Sequence, residues 1–229
     1  MKTIPEFLQQ ISLLQSKNYT FIYTSDDELS EKDMFLLTEM NCAIETGNYS
    51  NVLLANEMGI IKDLIYFNVT ESSQLYLNQV FGKCRLLATS LDVLAAINHQ
   101  AQSLLTRSSL EGIAIRIIPE EKSVNDNKNG IYLNHISDLS AKMKKLDNIA
   151  IRGIFILPPN MPNYHATKLK EYFSIIKSIR AWLPCTFSYF CIEHVINELS
   201  DNSRDSIISN LEVISLLNNT SLYAEFLLS

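Results

Sequence analysis

Two kinds of hydrophobic pattern alternate along the chain. Short runs rich in Ile, Val, Phe and Tyr are typical of β-strands, and the segments between them repeat apolar residues every three or four positions, as amphipathic helices do. In residues 135–146, for example, Ile136, Leu139, Met143 and Leu146 share one helical face, while lysines occupy the other. The pattern predicts eight strands, over residues 19–24, 42–45, 64–68, 85–89, 113–118, 149–157, 186–190 and 222–228.

Helices are predicted before and between these strands. An N-terminal helix over residues 4–16 precedes the first strand. The others are predicted over residues 33–40, 49–58, 71–80, 91–106, 135–146, 165–182, 192–199 and 204–211.

The order of these elements points to one fold. Most of the strands are apolar at consecutive positions, which is typical of parallel strands buried on both faces. Right-handed helical crossovers close such strands most simply into a barrel. We therefore predict an α/β fold, a single (β/α)8 TIM-type barrel of parallel strands preceded by an N-terminal helix. No linker or repeat interrupts residues 1–229, so one domain is expected, with functional groups where strands end.

Composition and charge narrow the classes of partner. The chain is 47% hydrophobic and 19% charged, as ordinary globular proteins are. A formal net charge of −6 disfavours nucleic-acid binding, which needs clustered Lys and Arg. The apolar runs are shorter than a membrane span, and the N-terminus lacks the pattern of a signal peptide. We expect a cytoplasmic protein that binds neither nucleic acid nor membrane.

The four cysteines predict no disulfide framework. They are scattered without CxxC spacing, and three of them open apolar runs. Buried free thiols in a reducing compartment are therefore expected. The residues concerned are Cys42, Cys84, Cys185 and Cys191.

One segment carries a family resemblance. Residues 125–163, NDNKNGIYLNHISDLSAKMKKLDNIAIRGIFILPPNMPN, resemble part of the pyridoxal-phosphate (PLP) homeostasis proteins, single-domain relatives of the alanine racemase barrel. In that family a Gly-Ile turn leads into an amphipathic helix and then into L-x-L-R-G-L-M-x-I-P. The matching positions here are Gly130, Ile131, Arg152, Gly153 and Pro158.

Two further segments are similar to the related fold-type III amino-acid decarboxylases. The run IRIIP matches their L-R-V-N-P strand, with Arg116 and Pro119 kept and Ile118 where Asn is usual. Residues 36–68 follow the same relatives' order of helix, strand, helix and strand. The resemblance thus implies the PLP-binding barrel of this superfamily over most of the chain.

The resemblance also implies that the catalytic lysine is missing. In this superfamily a lysine at the end of the first barrel strand, in a pattern like A-V-x-K, holds PLP as a Schiff base. Aligning TFIYTSDDEL, residues 20–29, on that pattern places Thr24 at the lysine. A hydroxyl cannot form an imine, so the cofactor would lack its covalent anchor.

Other cofactor contacts of the family are altered as well. Where the family has G-M-S-x-D, this chain has FCIEHV, which puts Cys191 or a neighbour at a phosphate-binding serine. Where the family ends in R-I-G-T-x-L-F-G, this chain keeps Thr220 but has Asn219 at the glycine. The resemblance therefore predicts no covalent cofactor. It leaves open non-covalent binding of PLP or another phosphate through Thr220, Asn219, Cys191 and Arg116.

Other candidate groups have plainer explanations. Lys32 is a candidate for a relocated Schiff-base lysine, but it lies at a helix start where Ser30 and Asp33 predict a capping box, so a solvated lysine is expected. Asp26, Asp27 and Glu28 follow the first strand and offer oxygen ligands or acid-base groups; a hydrated loop is the expected alternative.

A Cys-His pair and several aromatic residues complete the candidates. Cys191 and His194 flank Glu193 with C-x-x-H spacing, yet zinc needs two more ligands, so a packed thiol is expected and no metal site. A set of aromatic residues near strand ends either lines a small-molecule pocket or fills the space of a lost cofactor. This set is Tyr23, Tyr66, Phe67, Tyr189 and Phe190.

Three functional hypotheses follow from these residues and the resemblance. The first is a catalytically degenerate PLP-barrel protein that acts as a binding, regulatory or partner subunit. The second is a PLP-homeostasis-type protein that holds PLP or a phosphate metabolite non-covalently, or a racemase- or decarboxylase-like enzyme with a relocated lysine. The third is an enzyme with new chemistry built from Asp26, Asp27, Glu28, Cys191 and His194. The expected partner is a protein or a small phosphate-bearing ligand, with a homodimer as a further option.

Overall fold

A computed structural model describes the parts of the chain that form the barrel. The described residues are 4–12, 19–104, 110–119, 129–156, 178–179, 181–183, 185, 187–192 and 225–228. The strands are β1 Tyr19–Thr24, β2 Ala43–Thr46, β3 Ile65–Val69, β4 Arg85–Ala88, β5 Glu111–Ile118, β6 Ile131–Tyr132, β7 Ile149–Ile156, β8 Tyr189–Ile192 and β9 Glu225–Leu228. The helices are α1 Ile4–Ser12, α2 Glu31–Glu39, α3 Tyr49–Glu57, α4 Leu77–Val80, α5 Leu91–Leu104 and α6 Ile136–Met143, with 3-10 turns at Lys62–Leu64, Ser73–Tyr76 and Leu133–His135.

Eight of these strands form a closed parallel barrel. β1 to β4 pair in sequence order, and β4 pairs with β5. β5, β7, β8 and β9 continue the ring, and β9 returns to β1, where Tyr19 lies opposite Phe226. The short β6 adds to the carboxyl end of β5, outside the ring. The predicted (β/α)8 barrel with a leading helix is confirmed.

The predicted strands match the observed ones to within a few residues, whereas the helices differ more. The helix predicted over 71–80 is a 3-10 turn followed by the single turn of α4. β6 was not predicted. The predicted helices over 165–182, 192–199 and 204–211 lie wholly or mostly outside the described residues.

Buried side chains fill both sides of the barrel wall. The outward faces of the strands and the inner faces of the helices form one apolar cluster, which includes Met34, Leu37, Val52 and Ile97. Alternate strand residues point inward and form a second cluster. Its members are Ile22, Ala43, Tyr66, Leu87, Ala114, Phe155, Tyr189 and Cys191.

The amino end of the barrel interior is sealed by aromatic rings. Tyr66 meets Phe155 and Tyr189 edge-on, with ring centroids 5.1 and 5.9 Å apart. Arg85 donates a hydrogen bond to the Tyr66 hydroxyl at 2.8 Å, and its guanidinium lies 4.3 Å from the Tyr189 ring centre. Burial raises the pKa of Tyr66, so its hydroxyl stays protonated.

The first helix of the barrel begins with the predicted capping box. The Ser30 hydroxyl accepts a hydrogen bond from the Asp33 backbone N–H at 3.2 Å, and the Ser30 N–H donates to the Asp33 carboxylate at 3.4 Å. Such a cap is worth about 1 kcal/mol and fixes where the loop after β1 ends. Lys32 lies in the first turn of this helix with its side chain exposed.

Within the described residues no helix combines the length and the apolar character that crossing a bilayer requires. All four cysteines are free thiols, as predicted, and all but the half-buried Cys185 are buried.

The buried thiols predict a loss of stability at alkaline pH. Burial raises the pKa of Cys42 to about 12 and that of Cys185 to about 11, from an ordinary value of 9.0, and it raises the pKa of Cys84 as well. Because the unfolded chain releases these protons first, their contribution is present below pH 9 and is lost as the pH rises toward 11 and 12. For each thiol, the free energy of unfolding falls by up to about 1.4 kcal/mol per pH unit between the thiol's ordinary pKa and its raised pKa.

Urea unfolding at a series of pH values above neutrality measures this decline. Cys42→Ala is expected to show a shallower fall than the wild type over the same range, because one of the buried thiols is gone. An identical slope in both proteins would show that the Cys42 thiol does not carry this effect.

Candidate functional site

The carboxyl end of β1 is where the sequence places the site, and its last residue is Thr24. Thr24 lies two residues beyond Ile22, which faces the barrel interior, so its side chain is directed toward the barrel mouth, where it is exposed. Ser25 follows and is buried, with its N–H bonded to the Glu45 carbonyl at 2.9 Å. None of the nine described strands contains a lysine. The barrel wall therefore presents a hydroxyl, not an amine, at this position.

A buried ion pair spans the barrel interior beside Thr24. Glu45, at the neighbouring position of β2, accepts a charged hydrogen bond from the Arg116 guanidinium on β5. The Arg116 and Glu45 side chains are only 8% and 2% exposed. The sequence predicted Arg116 as a cofactor-binding residue. In the structure its guanidinium forms an ion pair with the buried Glu45 carboxylate. Glu45 was missed, although an acidic residue within the apolar run CAIE was a signal.

Asn51 on α3 holds the loop that follows β1. Its side-chain oxygen accepts the Leu29 N–H at 2.9 Å, and its amide donates to the Asp27 carbonyl at 2.8 Å and to the Thr46 hydroxyl at 3.0 Å. Asn51 is fully buried, so each of these bonds satisfies a polar group that has lost water. Asn51 thus holds the middle of the loop, and the capping box at Ser30 fixes where it ends.

Replacing Asn51 with leucine is expected to lower the free energy of unfolding by about 2–3 kcal/mol, because the Leu29 N–H loses its partner in a buried place. Asn134→Leu is the matched control, since Asn134 is exposed, and should change stability by less than about 0.5 kcal/mol. Urea unfolding of the two variants compares them. Equal stabilities would mean that the Asn51 bonds do not order this loop.

A cleft of about 1140 Å³ opens at the carboxyl ends of β2, β3 and β4 and extends to β6. Its walls come from the loops after these strands and from the first turns of α3 and α5. Its aromatic side chains are Tyr49, Tyr76 and Tyr132, and its charged or titratable ones are Asp26, Glu71, Asp92 and His135. No Lys or Arg is among the described residues that line it. The described part of the cleft lining is therefore acidic.

The carboxylates of the loop after β1 do not converge. Asp26 lines the cleft and accepts the Gly47 N–H at 2.6 Å, whereas Asp27 and Glu28 are exposed and lie outside the cleft lining. In the described residues, groups of three or more His, Cys, Asp or Glu side chains that fit a metal ion do not occur. Of the three carboxylates in this loop, only that of Asp26 therefore belongs to the cleft.

The aromatic residues named from the sequence do not line the cleft. Tyr66 and Tyr189 lie near the starts of β3 and β8. Their side chains point into the barrel interior and close its amino end. Tyr23, Phe67 and Phe190 point outward into the core beneath the helices. None of the five residues lines this cleft: two pack in the barrel interior and three in the core beneath the helices.

The remaining predicted residues divide between the barrel interior and undescribed segments. Cys191 is fully buried in the inner cluster on β8, as a packed thiol. Glu193, His194, Asn219 and Thr220 lie outside the described residues.

Known proteins resemble this chain in structure more clearly than in sequence. No family model matches the chain, and no curated protein is significantly similar to it. AQ1208 from Aquifex aeolicus superposes with a TM-score of 0.73 at 16% identity, over 99% of this chain and 55% of that one. Diaminopimelate decarboxylase from Helicobacter pylori, complexed with L-lysine, superposes with a TM-score of 0.72 at 16% identity, over 99% and 60%. The arginine decarboxylase of Paramecium bursaria Chlorella virus gives 0.68 at 15% identity, over 99% and 60%.

These neighbours establish the fold. The predicted likeness in fold to amino-acid decarboxylase barrels is confirmed. The chain spans 55% to 60% of the length of the three neighbours.

Proposed function

We propose that this barrel is a catalytically degenerate relative of the PLP-dependent decarboxylase barrels and serves as a binding, regulatory or partner subunit. The observation that supports the proposal most is the combination of Thr24 at the end of β1 with nine strands that contain no lysine. The fold likeness supports a relation to these barrels, and the residue at this position argues against their chemistry.

The chemical reason is that the described strands present no nucleophilic amine. A Schiff base needs a primary amine that reaches the aldehyde carbon of the cofactor. The hydroxyl of Thr24 forms no imine, and Lys32 is exposed on the first turn of α2, outside the cleft lining. The described strands thus offer no amine that would anchor the cofactor's aldehyde covalently.

Charge argues in the same direction. A phosphate group at the cleft would meet Asp26, Glu71 and Asp92 without a lysine or arginine among the described lining residues. Arg116 is engaged with Glu45 inside the barrel.

The four free thiols support a reducing compartment, which fits the proposed cytoplasmic location.

The competing proposal is an amino-acid decarboxylase with a relocated lysine, which draws its support from the fold likeness alone. An absorbance titration with pyridoxal phosphate separates the two. The wild-type protein is expected to give no imine band that survives dialysis. Thr24→Lys, which restores an amine at the strand end, is the positive control. A stable, borohydride-sensitive imine band in the wild type would favour the enzyme.

A further inference from the structure

The cleft contains a buried hydrogen-bond acceptor that no described residue satisfies. Asn68 stands near the end of β3, on the same face as the interior residue Tyr66, and lines the cleft. Its side-chain oxygen is shielded from solvent and accepts no hydrogen bond from the described residues. Buried polar atoms are almost always paired in folded proteins. A ligand with a hydrogen-bond donor would supply the missing partner.

A flat aromatic surface lies in the same cleft. Tyr49 and Tyr76 stack with their ring centres 4.3 Å apart and their planes inclined by 15°. Both rings are partly exposed and belong to the cleft lining. Such a pair offers an apolar face to the carbon-bound hydrogens of a ring or chain, beside polar groups that fix its orientation.

The charged groups at the rim are largely engaged with protein partners. Asp26 accepts the Gly47 N–H, and Asp92 lies 3.8 Å from the Lys142 ammonium while its side chain is 90% exposed. Glu71 is the remaining carboxylate of the lining and is exposed. No Lys or Arg lies beside these carboxylates in the described lining, so an anion would be repelled.

Hydroxyls and amides dominate the rest of the lining. Asn48, Asn129, Thr70, Ser72 and Ser90 contribute side chains that can both donate and accept hydrogen bonds. This mixture complements ligand hydroxyls, which also do both. The cleft volume, about 1140 Å³, exceeds what a monosaccharide needs.

From these features we propose that the cleft binds an uncharged, hydroxyl-rich small molecule, a sugar or cyclic polyol. Its hydroxyl donates to the Asn68 side-chain oxygen, and its carbon face rests on the Tyr49–Tyr76 pair. This inference rests on the proposed function of the barrel as a binding protein and names the class of ligand.

A ligand panel tests this assignment in the full-length protein. Saturation-transfer NMR and calorimetry would compare D-glucose, D-ribose, myo-inositol and sucrose with putrescine and inorganic phosphate. At least one hydroxyl compound is expected to bind saturably, with a Kd of about 0.1–10 mM. Asn68→Ala is expected to weaken that binding about tenfold, whereas the matched exposed variant Asn134→Ala leaves it unchanged.

A second variant keeps the test valid if Asn68→Ala folds poorly. Tyr76→Leu removes the stacked pair and is also expected to weaken binding. The assignment is overturned if no hydroxyl compound binds, if neither cleft variant that folds changes the affinity, or if putrescine or phosphate binds in their place. A stable imine with pyridoxal phosphate would remove the proposed function instead, so the two failures are distinguishable.

Discussion

Replacing Arg116 with methionine is expected to lower the free energy of unfolding by about 3–5 kcal/mol, because it removes the positive charge facing a buried carboxylate. Glu45 is 2% exposed and lies in the barrel interior, where water cannot replace the guanidinium. Urea unfolding of the purified variant measures the change. Comparison with the wild type shows how much of the barrel's stability depends on the Glu45–Arg116 ion pair.

The double variant Glu45→Leu/Arg116→Met is the control for that prediction. With both charges gone, no unpaired carboxylate remains, and apolar replacements of buried ion pairs are often neutral or stabilising. The double variant should therefore be more stable than Arg116→Met alone. If the double variant lost the sum of the two single effects, the residues would act independently and the pair would have no coupling.

Gly153→Ala is expected to destabilise the barrel by about 3 kcal/mol or to prevent folding, because the new methyl group has no room. A Cβ at this position would lie 2.7 Å from Cδ2 of Tyr189 and closer still to Cε2 and Cζ. The Tyr189 ring cannot move aside easily, since it is held between Arg85 and Tyr66. Thermal and urea unfolding would measure the loss.

Gly112→Ala on the neighbouring strand β5 is the matched control. Its Cβ would meet only the side chain of Arg152, with a shortest distance of 3.2 Å to its Cγ, and Arg152 is exposed. The expected change is under about 1 kcal/mol. In a Tyr189→Leu background the cost of Gly153→Ala should shrink. An undiminished cost there would place the strain elsewhere than on the tyrosine ring.

The strands could be predicted because each is a short apolar run whose type depends mainly on local sequence. The helix predicted over 71–80 failed for a local reason as well. The Thr70 N–H donates to the Ser73 hydroxyl at 2.8 Å, and the Ser73 N–H donates back to the Thr70 hydroxyl at 3.3 Å. These side chains favour a turn over a regular helix. β6 is two residues long, too short to leave a periodic signal.

The candidate site was predictable only in part. The end of β1 follows from the strand pattern, so Thr24 could be placed at the barrel mouth. The pairing of Glu45 with Arg116 joins residues 71 positions apart, which periodicity does not reveal. The cleft likewise depends on how loops from different strands approach one another. The aromatic residues do not line the cleft for two reasons: Tyr66 and Tyr189 lie near the starts of their strands, and the other three are on the outward face of the barrel wall.

Borohydride reduction of the protein with one equivalent of pyridoxal phosphate, followed by peptide mass spectrometry, tests most directly whether the barrel lacks a Schiff-base lysine. The expected result is scattered, substoichiometric labelling of exposed lysines such as Lys32, Lys62 and Lys83, no greater in the folded than in the unfolded chain. A single lysine that carries nearly all of the pyridoxyl group, and only when the protein is folded, would contradict the proposal of a degenerate barrel.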